Sequence, residues 1–319
     1  MFSRKNCDIR REFWAKHPLV PKTQVGITKK KNRNETLTSR IPPGACSRHP
    51  IVGDRYVLAV GSSGAARLRL LDEVYGSASR QMLTAAGLRP GMRVADIGCG
   101  IGSVTHWLAE HAGGTGEVLG IDASGEQLQL ARAAARSANA AKVTFREGSA
   151  YQTGLPRESF DLVYCRFLLC HLLRPVHALR EMQALLRPGG ILVCQDLNFA
   201  SLFSEPTNCA YRRSVELSLA LADIRGVDYC FGSKLEDSIR AAGFAETETR
   251  VDQPWSLCVE AKRLWEYTFL ESAPAMVEAG LVQQREIDQL AAELASAAAD
   301  RNTHLAVWKM HGVSARKKL

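Results

Sequence analysis

One stretch limits what this chain can fold into more than any other: Arg93-Val94-Ala95-Asp96-Ile97-Gly98-Cys99-Gly100-Ile101-Gly102-Ser103. An apolar run ends at an acid, three glycines alternate over five positions, and a helical pattern follows, an order that reads as strand, tight turn and helix. Such a turn is a ligand cradle. Without a Cβ the backbone can turn sharply and come close to a bound group, while the helix behind it presents unpaired N–H groups and the positive end of its dipole.

Charge narrows the ligand. A dinucleotide pyrophosphate beside this turn would lie close to the carboxylate of Asp96, anion against anion, and the third glycine of a dinucleotide fingerprint would fall at Ser103. S-adenosylmethionine fits better. It has no phosphate, it carries a sulfonium and an ammonium that an acid attracts, and it offers one carboxylate to the helix N-terminus. Asp122 ends the next apolar run, Val118-Leu119-Gly120-Ile121, at the spacing where an acid meets ribose hydroxyls in nucleotide-binding βαβ units. Asp96, the glycines, the helix and Asp122 together are far more specific than the glycines alone.

The flanking sequence reads as an α/β chain. A helix over 103–112 follows the glycine turn, then a strand over 117–122, then Ser124 with Gln127 as a capping box for an alanine-rich helix to about 138, then a strand over 142–147. A fourth strand covers 160–165, a helix 174–186 and a fifth strand 191–196. Short apolar strands alternating with helices specify a doubly wound, mostly parallel sheet, whose ligands sit outside the carboxyl ends of the strands. Asp96, Asp122, Ser149, Arg166 and Asp196 all fall at those ends. Before the glycine turn, residues 65–86 read as two helices broken near Gly76-Ser77. After Asp196 the spacing predicts a helix over 211–222, a strand over 244–251, helices over 259–272 and 283–299, and a closing strand over 305–313. The helical stretch between the last two strands is expected to cap the ligand mouth.

Charge and cysteine usage exclude several classes. The chain of 319 residues has a net charge of +8, yet residues 1–50 alone hold 12 Lys/Arg against 3 Asp/Glu, so the remainder is close to neutral. Those first 50 residues lack sustained periodicity and read as a basic extension. The nine cysteines are scattered, odd in number and without a CxxC pair, which fits reduced thiols in a cytoplasmic protein. No apolar run approaches the roughly 20 residues that span a bilayer, and no secretory leader pattern opens the sequence.

The segments VADIGCGIGSVT (94–105), VLGIDAS (118–124), FDLVYCRFLLCHL (160–172) and ALREMQALLRPGGILVCQDLNF (178–199) resemble the class I S-adenosylmethionine-dependent methyltransferases. In texture they are similar to the small-molecule enzymes of the ubiquinone/menaquinone-biosynthesis type. The resemblance covers roughly residue 56 to the C-terminus. It implies a seven-stranded Rossmann-like sheet in a domain over 91–319 and an N-terminal helical lid over 51–90; the helical stretch over about 255–302, read from its spacing, is the expected cap. It also implies that Asp96, Gly98, Gly100 and Gly102 hold the methionine moiety and that Asp122, followed by Ala123, binds the ribose. Arg166 would line the methionine end. The family's usual aspartate after the third strand is replaced here by Gly148-Ser149-Ala150, where the Ser149 hydroxyl can still accept a hydrogen bond from adenine.

Methyl transfer from a sulfonium is an in-line displacement, and a base helps only when the acceptor starts protonated. Tyr56, Tyr75, Arg166, His171, Asp196 and Asn198 are the side chains in reach of such a pocket, with Tyr75, His171 and Asp196 the catalytic candidates. His171 and His106 each also read as structural histidines, Asp196 as a loop cap, and Trp255, Trp265 and Tyr267 as either an aromatic pocket wall or helix packing. A nucleic-acid amino-methyltransferase would carry Asn/Asp-Pro-Pro-aromatic where this chain has Cys165-Arg166-Phe167-Leu168, and no Pro-Cys dipeptide supplies an RNA cytosine nucleophile. The acceptor is therefore expected to be a small molecule rather than nucleic acid. An RNA methyltransferase using the basic extension, and a non-catalytic S-adenosylmethionine-binding protein, are the competing readings.

Overall fold

The computed structural model describes residues 58, 61–134, 140–255 and 258–319. The basic extension, Tyr56 and the end of the helix expected to reach 138 lie outside them. In chain order the elements are α1 (Gly61–Ala86), β1 (Arg93–Ile97), α2 (Ser103–Ala112), β2 (Glu117–Asp122), α3 (Gly125–Ala133), β3 (Lys142–Glu147), β4 (Phe160–Arg166), α4 (Pro175–Leu185), β5 (Leu186–Asn198), β6 (Phe203–Glu205), α5 (Cys209–Arg225), α6 (Leu235–Ala241), β7 (Ala245–Asp252), α7 (Val259–Glu278), α8 (Gln284–Ala299), β8 (His304–Ala306) and β9 (Lys309–Arg316).

Seven strands form one sheet in the order β3-β2-β1-β4-β5-β9-β7. The first five strands of the chain run parallel, and β9 is antiparallel to both β5 and β7. Apolar residues decide which strands are central. On one face Val94, Leu162, Tyr164 and Val193 pack under Val104 and Leu108 of α2 and Met82 and Leu83 of α1. On the other face Ala95, Val163, Cys165 and Cys194 pack against Leu179 and Met182 of α4 and Ile239 of α6. Helices therefore cover both faces, as the near-continuous apolar strands require. The two edge strands, β3 and β7, carry alternating charged residues such as Lys142, Arg146, Glu248 and Arg250, which discourage pairing with another chain.

Two expectations are corrected. The stretch 65–86 is one helix and not two: α1 runs unbroken through Gly76 over 26 residues. A single glycine costs a helix only about 1 kcal/mol, and packing on the sheet and on α7 outweighs it. The closing strand is split. Residues 304–306 pair with β6 in a separate two-stranded ribbon, and the chain then turns at Val307-Trp308 before β9. That corner is held from outside, because Tyr75 donates its hydroxyl to the Trp308 carbonyl at 2.6 Å and Gln253 donates to the Val307 carbonyl at 3.1 Å. The helices before it match their expected positions, with α7 continuing through Pro274 to Glu278. Among the described residues no helix is long and apolar enough to cross a membrane.

Gly120 of β2 ties this sheet to the glycine turn. It lies in register with Asp96, and a Cβ there would stand 2.7 Å from the Phe145 ring and 2.9 Å from Cys99 Sγ. Gly120→Ala is expected to destabilise the fold by about 1–3 kcal/mol through overpacking, measured by urea denaturation. An unchanged midpoint would contradict this packing.

Candidate active site

The glycine turn is fixed by its neighbours. Gly98 and Cys99 donate their N–H groups to the Ile121 carbonyl at 2.7 and 3.0 Å. Gly100 donates to Asp122 Oδ2 at 2.8 Å, while Ser124 donates to Asp122 Oδ1 at 2.9 Å. The end of β2 thus holds the turn, and Ser124 in turn caps α3 by accepting from Gln127 N–H. Gly102 takes φ 79° as the residue before α2, a left-handed conformation that side chains disfavour, and among the described residues no side chain caps the helix. The first turn of α2 therefore presents its N–H groups and positive dipole end. At Gly100, φ 54°, an added Cβ would meet Leu68 Cδ1 of α1 at 3.6 Å, ordinary van der Waals contact, so the backbone there faces α1 across the turn.

Between α1 and the turn lies a cleft of about 60 Å³, partly open to solvent. Leu68 and Leu71 form its upper wall, and Asp96, Gly98, Gly100 and Arg166 are among the residues of its floor. Asp96 is only 3% exposed. It accepts a hydrogen bond from Thr105 Oγ1 at 2.6 Å, yet burial lifts its pKa from 3.8 to about 6, against the lowering effects of Thr105 and Arg166. Burial likewise raises Asp122, opposed by the backbone N–H groups it accepts from. Cys99 and Tyr164, which also line the cleft, are pushed above their ordinary values by burial and stay protonated. Arg166 reaches from the end of β4 to α1, donating to Asp72 Oδ1 and Ser79 Oγ, each at 3.0 Å. Among the described residues no group of three or more His, Cys, Asp or Glu side chains could hold a metal ion.

The structure brings some of the expected residues together and separates others. Asp96, Gly98, Gly100 and Arg166 line the cleft; Asp122 abuts it through Gly100, and Gly102 is buried behind it. Ala123 and Ser149 are exposed at the ends of β2 and β3, Ala150 is half-buried, and Ser149 Oγ accepts from Tyr151 N–H at 3.2 Å. None of the three catalytic candidates is among the residues lining this cleft. Tyr75 is fully buried with its proton committed to Trp308, and burial raises its pKa. Asp196 is fully buried and acts as a loop cap: its oxygens accept from the N–H groups of Cys170 at 3.1 Å and Leu197 at 2.8 Å, and burial lifts its pKa to about 6. His171 packs edge-on against Tyr229, and burial, with Arg67 and Arg225 nearby, lowers its pKa to about 3.

Of the others, His106 Nε2 lies 2.9 Å from the Ala131 carbonyl oxygen, the Asn198 carbonyl accepts from Ser201, and Trp265 is core, donating to Ser214 Oγ. Tyr267 sits under Arg263 and Trp255 lies beside Phe203 and His304, so the three aromatics form no common wall. Helix α7 meets α1, where Arg67 pairs with Glu271 at 2.6 Å, and none of its residues is among those lining the cleft. Sequence reasoning missed Asp72 and Ser79 as partners of Arg166, because nothing local links positions 94 and 87 residues apart. It also missed Thr105, although the strand-turn-helix spacing does bring the first turn of α2 back over the end of β1.

Residues 95–194 match the methyltransferase domain family. An uncharacterized methyltransferase of Schizosaccharomyces pombe is 30% identical over 185 residues, covering 54% of this chain and 64% of the relative. A demethylmenaquinone methyltransferase of Staphylococcus aureus is 33% identical over 123 residues, 39% of this chain and 50% of the relative. The chain thus spans between half and two thirds of the length of these relatives. Among solved structures, phosphoethanolamine N-methyltransferase 2 of Haemonchus contortus, in complex with phosphomonomethylethanolamine and S-adenosylhomocysteine, aligns with a TM-score of 0.50 at 18% identity, over 81% of this chain and 58% of that one. At that identity the likeness is one of fold.

Asp96 has a measurable signature. Its folded pKa of about 6 lies above its ordinary 3.8, so it favours the folded state when protonated, below about pH 4, and that contribution is lost as the pH rises through about 6. Asp96→Asn, with no charge to bury, is expected to be more stable than wild type at pH 8 by about 3 kcal/mol, the gap closing below pH 4. Denaturant unfolding at several pH values checks this; a variant less stable at every pH would contradict it.

Proposed function

We propose that this chain, a class I S-adenosylmethionine-dependent methyltransferase by its residues 95–194 and its sheet order, transfers the methyl group of S-adenosylmethionine to a small-molecule acceptor. The observation that carries the reading is the conjunction, in one cleft, of a buried acid and an uncapped helix N-terminus. Asp96 suits a cationic ligand, and the N–H groups of α2 suit a carboxylate. A ligand bearing both charges and no phosphate matches this pair; a pyrophosphate does not.

S-adenosylmethionine supplies an electrophilic methyl on a sulfonium. The residues toward it are Asp96 and Arg166 with the turn Gly98–Gly102 at the amino-acid end, and Asp122 with Ala123 toward the ribose. Ser149 and Ala150 stand at the end of β3 toward the adenine. The Asp122 carboxylate is engaged by Gly100 N–H and Ser124 N–H, so it serves the turn as well as the ligand.

The chain's own contribution is positional. Leu68 and Leu71 of α1 supply an apolar wall to the cleft, and the turn sets the donor's orientation, from which an in-line displacement draws most of its acceleration. His171, Asp196 and Tyr75 are committed to packing and loop capping, and Cys99 and Tyr164 stay protonated. The acceptor is then a group that needs no proton removed by these side chains. The cover that α1 forms over the cleft favours a small acceptor over a folded RNA.

Calorimetric titration with S-adenosylhomocysteine tests the site, with NADH as the contrasting ligand. Wild type is expected to bind S-adenosylhomocysteine and not NADH. Gly100→Val, which adds a side chain where the backbone faces the cleft, is expected to weaken binding at least about 100-fold while the far-ultraviolet circular dichroism is kept; the left-handed φ alone costs about 1–2 kcal/mol. Binding of NADH in preference, or an unaffected folded variant, would overturn the reading. Mass spectrometry of a metabolite extract incubated with isotopically labelled S-adenosylmethionine would then identify the acceptor; labelled RNA in place of a labelled metabolite would favour the competing acceptor class.

A further inference from the structure

Helix α1 contains a small-residue gap with a purpose. Asp72, Gly76 and Arg80 are spaced four residues apart and so stand one above another on the same helix face. Arg80 Nη2 donates to Asp72 Oδ2 at 2.6 Å across the position of Gly76. A Cβ on Gly76 would lie 2.9 Å from Asp72 Oδ1 and 3.0 Å from Arg80 Nη1. The other oxygen of Asp72 accepts from Arg166 Nη2 at 3.0 Å, and Ser79, one turn below Gly76, accepts from Arg166 Nη1 at 3.0 Å. Ser79 is anchored by its own donation to the Tyr75 carbonyl at 3.2 Å. The side chains of Arg166 and Asp72 are 9% and 14% exposed, so the pair is well shielded from solvent.

We infer that Asp72 is a positioning residue for the cofactor site: with Ser79 it fixes the Arg166 guanidinium in the cleft, and Gly76 is glycine so that Asp72 can reach both Arg166 and Arg80. Arg166 lines the cleft and Asp72 does not, so Asp72 acts through it. Two hydrogen bonds to two different partners hold the planar guanidinium in one orientation, leaving its remaining N–H groups directed by the fold rather than by rotamer chance. Asp72 keeps Arg80 as a second partner, so its charge stays compensated however Arg166 is engaged. This inference rests on the reading that Arg166 faces the amino-acid end of the methyl donor.

Two probes separate positioning from mere structural support. S-adenosylhomocysteine carries the amino-acid portion; 5′-methylthioadenosine carries the same adenosine and sulfur without it. Asp72→Ala is expected to weaken S-adenosylhomocysteine binding about 10-fold, the factor that 1.4 kcal/mol represents, and to leave 5′-methylthioadenosine within about twofold. Asp72→Asn, which retains the acceptor oxygen, is expected to recover most of the loss. Gly76→Ala is expected to reproduce the selective loss without a lower thermal midpoint, since alanine is the better helix former by about 1 kcal/mol. Equal weakening of both ligands by Asp72→Ala, or no change in either, would overturn the role of Asp72 while leaving the methyl-donor reading intact. Wild type binding neither probe would overturn both.

Discussion

The carboxylate of Asp96 is the constraint on which the site depends. It is buried at the carboxyl end of a central strand, with one short hydrogen bond from Thr105 and, among the described residues, no ion pair of its own, and such a group resists ionisation. Its neighbours are arranged around that cost. The turn that follows exposes N–H groups in place of side chains, Gly120 in the adjacent strand leaves room for Cys99 of the turn, and Arg166 contributes a positive field from the next strand over. A site that holds a partly protonated acid beside a helix N-terminus gains most from a ligand that brings both a cation and a carboxylate. The stability forgone at Asp96 is then expressed as affinity.

The helix above the site is the second determinant. Alone, the strand-turn-helix unit is an open crevice, as in any doubly wound sheet. Helix α1 converts it to a covered cleft by laying Leu68 and Leu71 across the turn and joining β4 through Asp72 and Arg166. The same helix anchors the corner before β9 through Tyr75 and meets α7 through Arg67 and Glu271. Chemistry that proceeds by approximation needs this cover more than it needs a proton acceptor. Tyr75 and Asp196 hold the corner before β9 and the loop after β4.

Much of this was legible in the sequence where a local pattern has one physical meaning. Alternating glycines after an acid, the Ser124–Gln127 cap and the apolar strands each prescribe their own geometry, and the parallel, doubly wound character of the sheet follows from the alternation of strand and helix. Long-range pairings were not legible. Gly76 reads as a helix break when its neighbours are unknown, and as a cleared path once Asp72, Arg80 and Arg166 are seen together. Residues 305–313 read as one strand because every position is compatible with extended backbone, and only Tyr75 and Gln253, donating to the corner from distant elements, divide it. Asp196 lies near the end of β5, where a ligand belongs, and His171 in the turn after β4, yet their burial and partners are set by turns that no spacing rule reports.

The central claim is that ionised Asp96 attracts the cationic end of the methyl donor. Binding should then shift its pKa downward and release a fraction of a proton near pH 6, where the free site is partly protonated. Calorimetric titration with S-adenosylmethionine at pH 6 in two buffers of different ionisation enthalpy measures that proton directly. The account predicts a buffer-dependent enthalpy reporting proton release, which fades toward pH 8 and is absent in Asp96→Asn. A binding enthalpy independent of buffer at pH 6, with normal affinity, would contradict it.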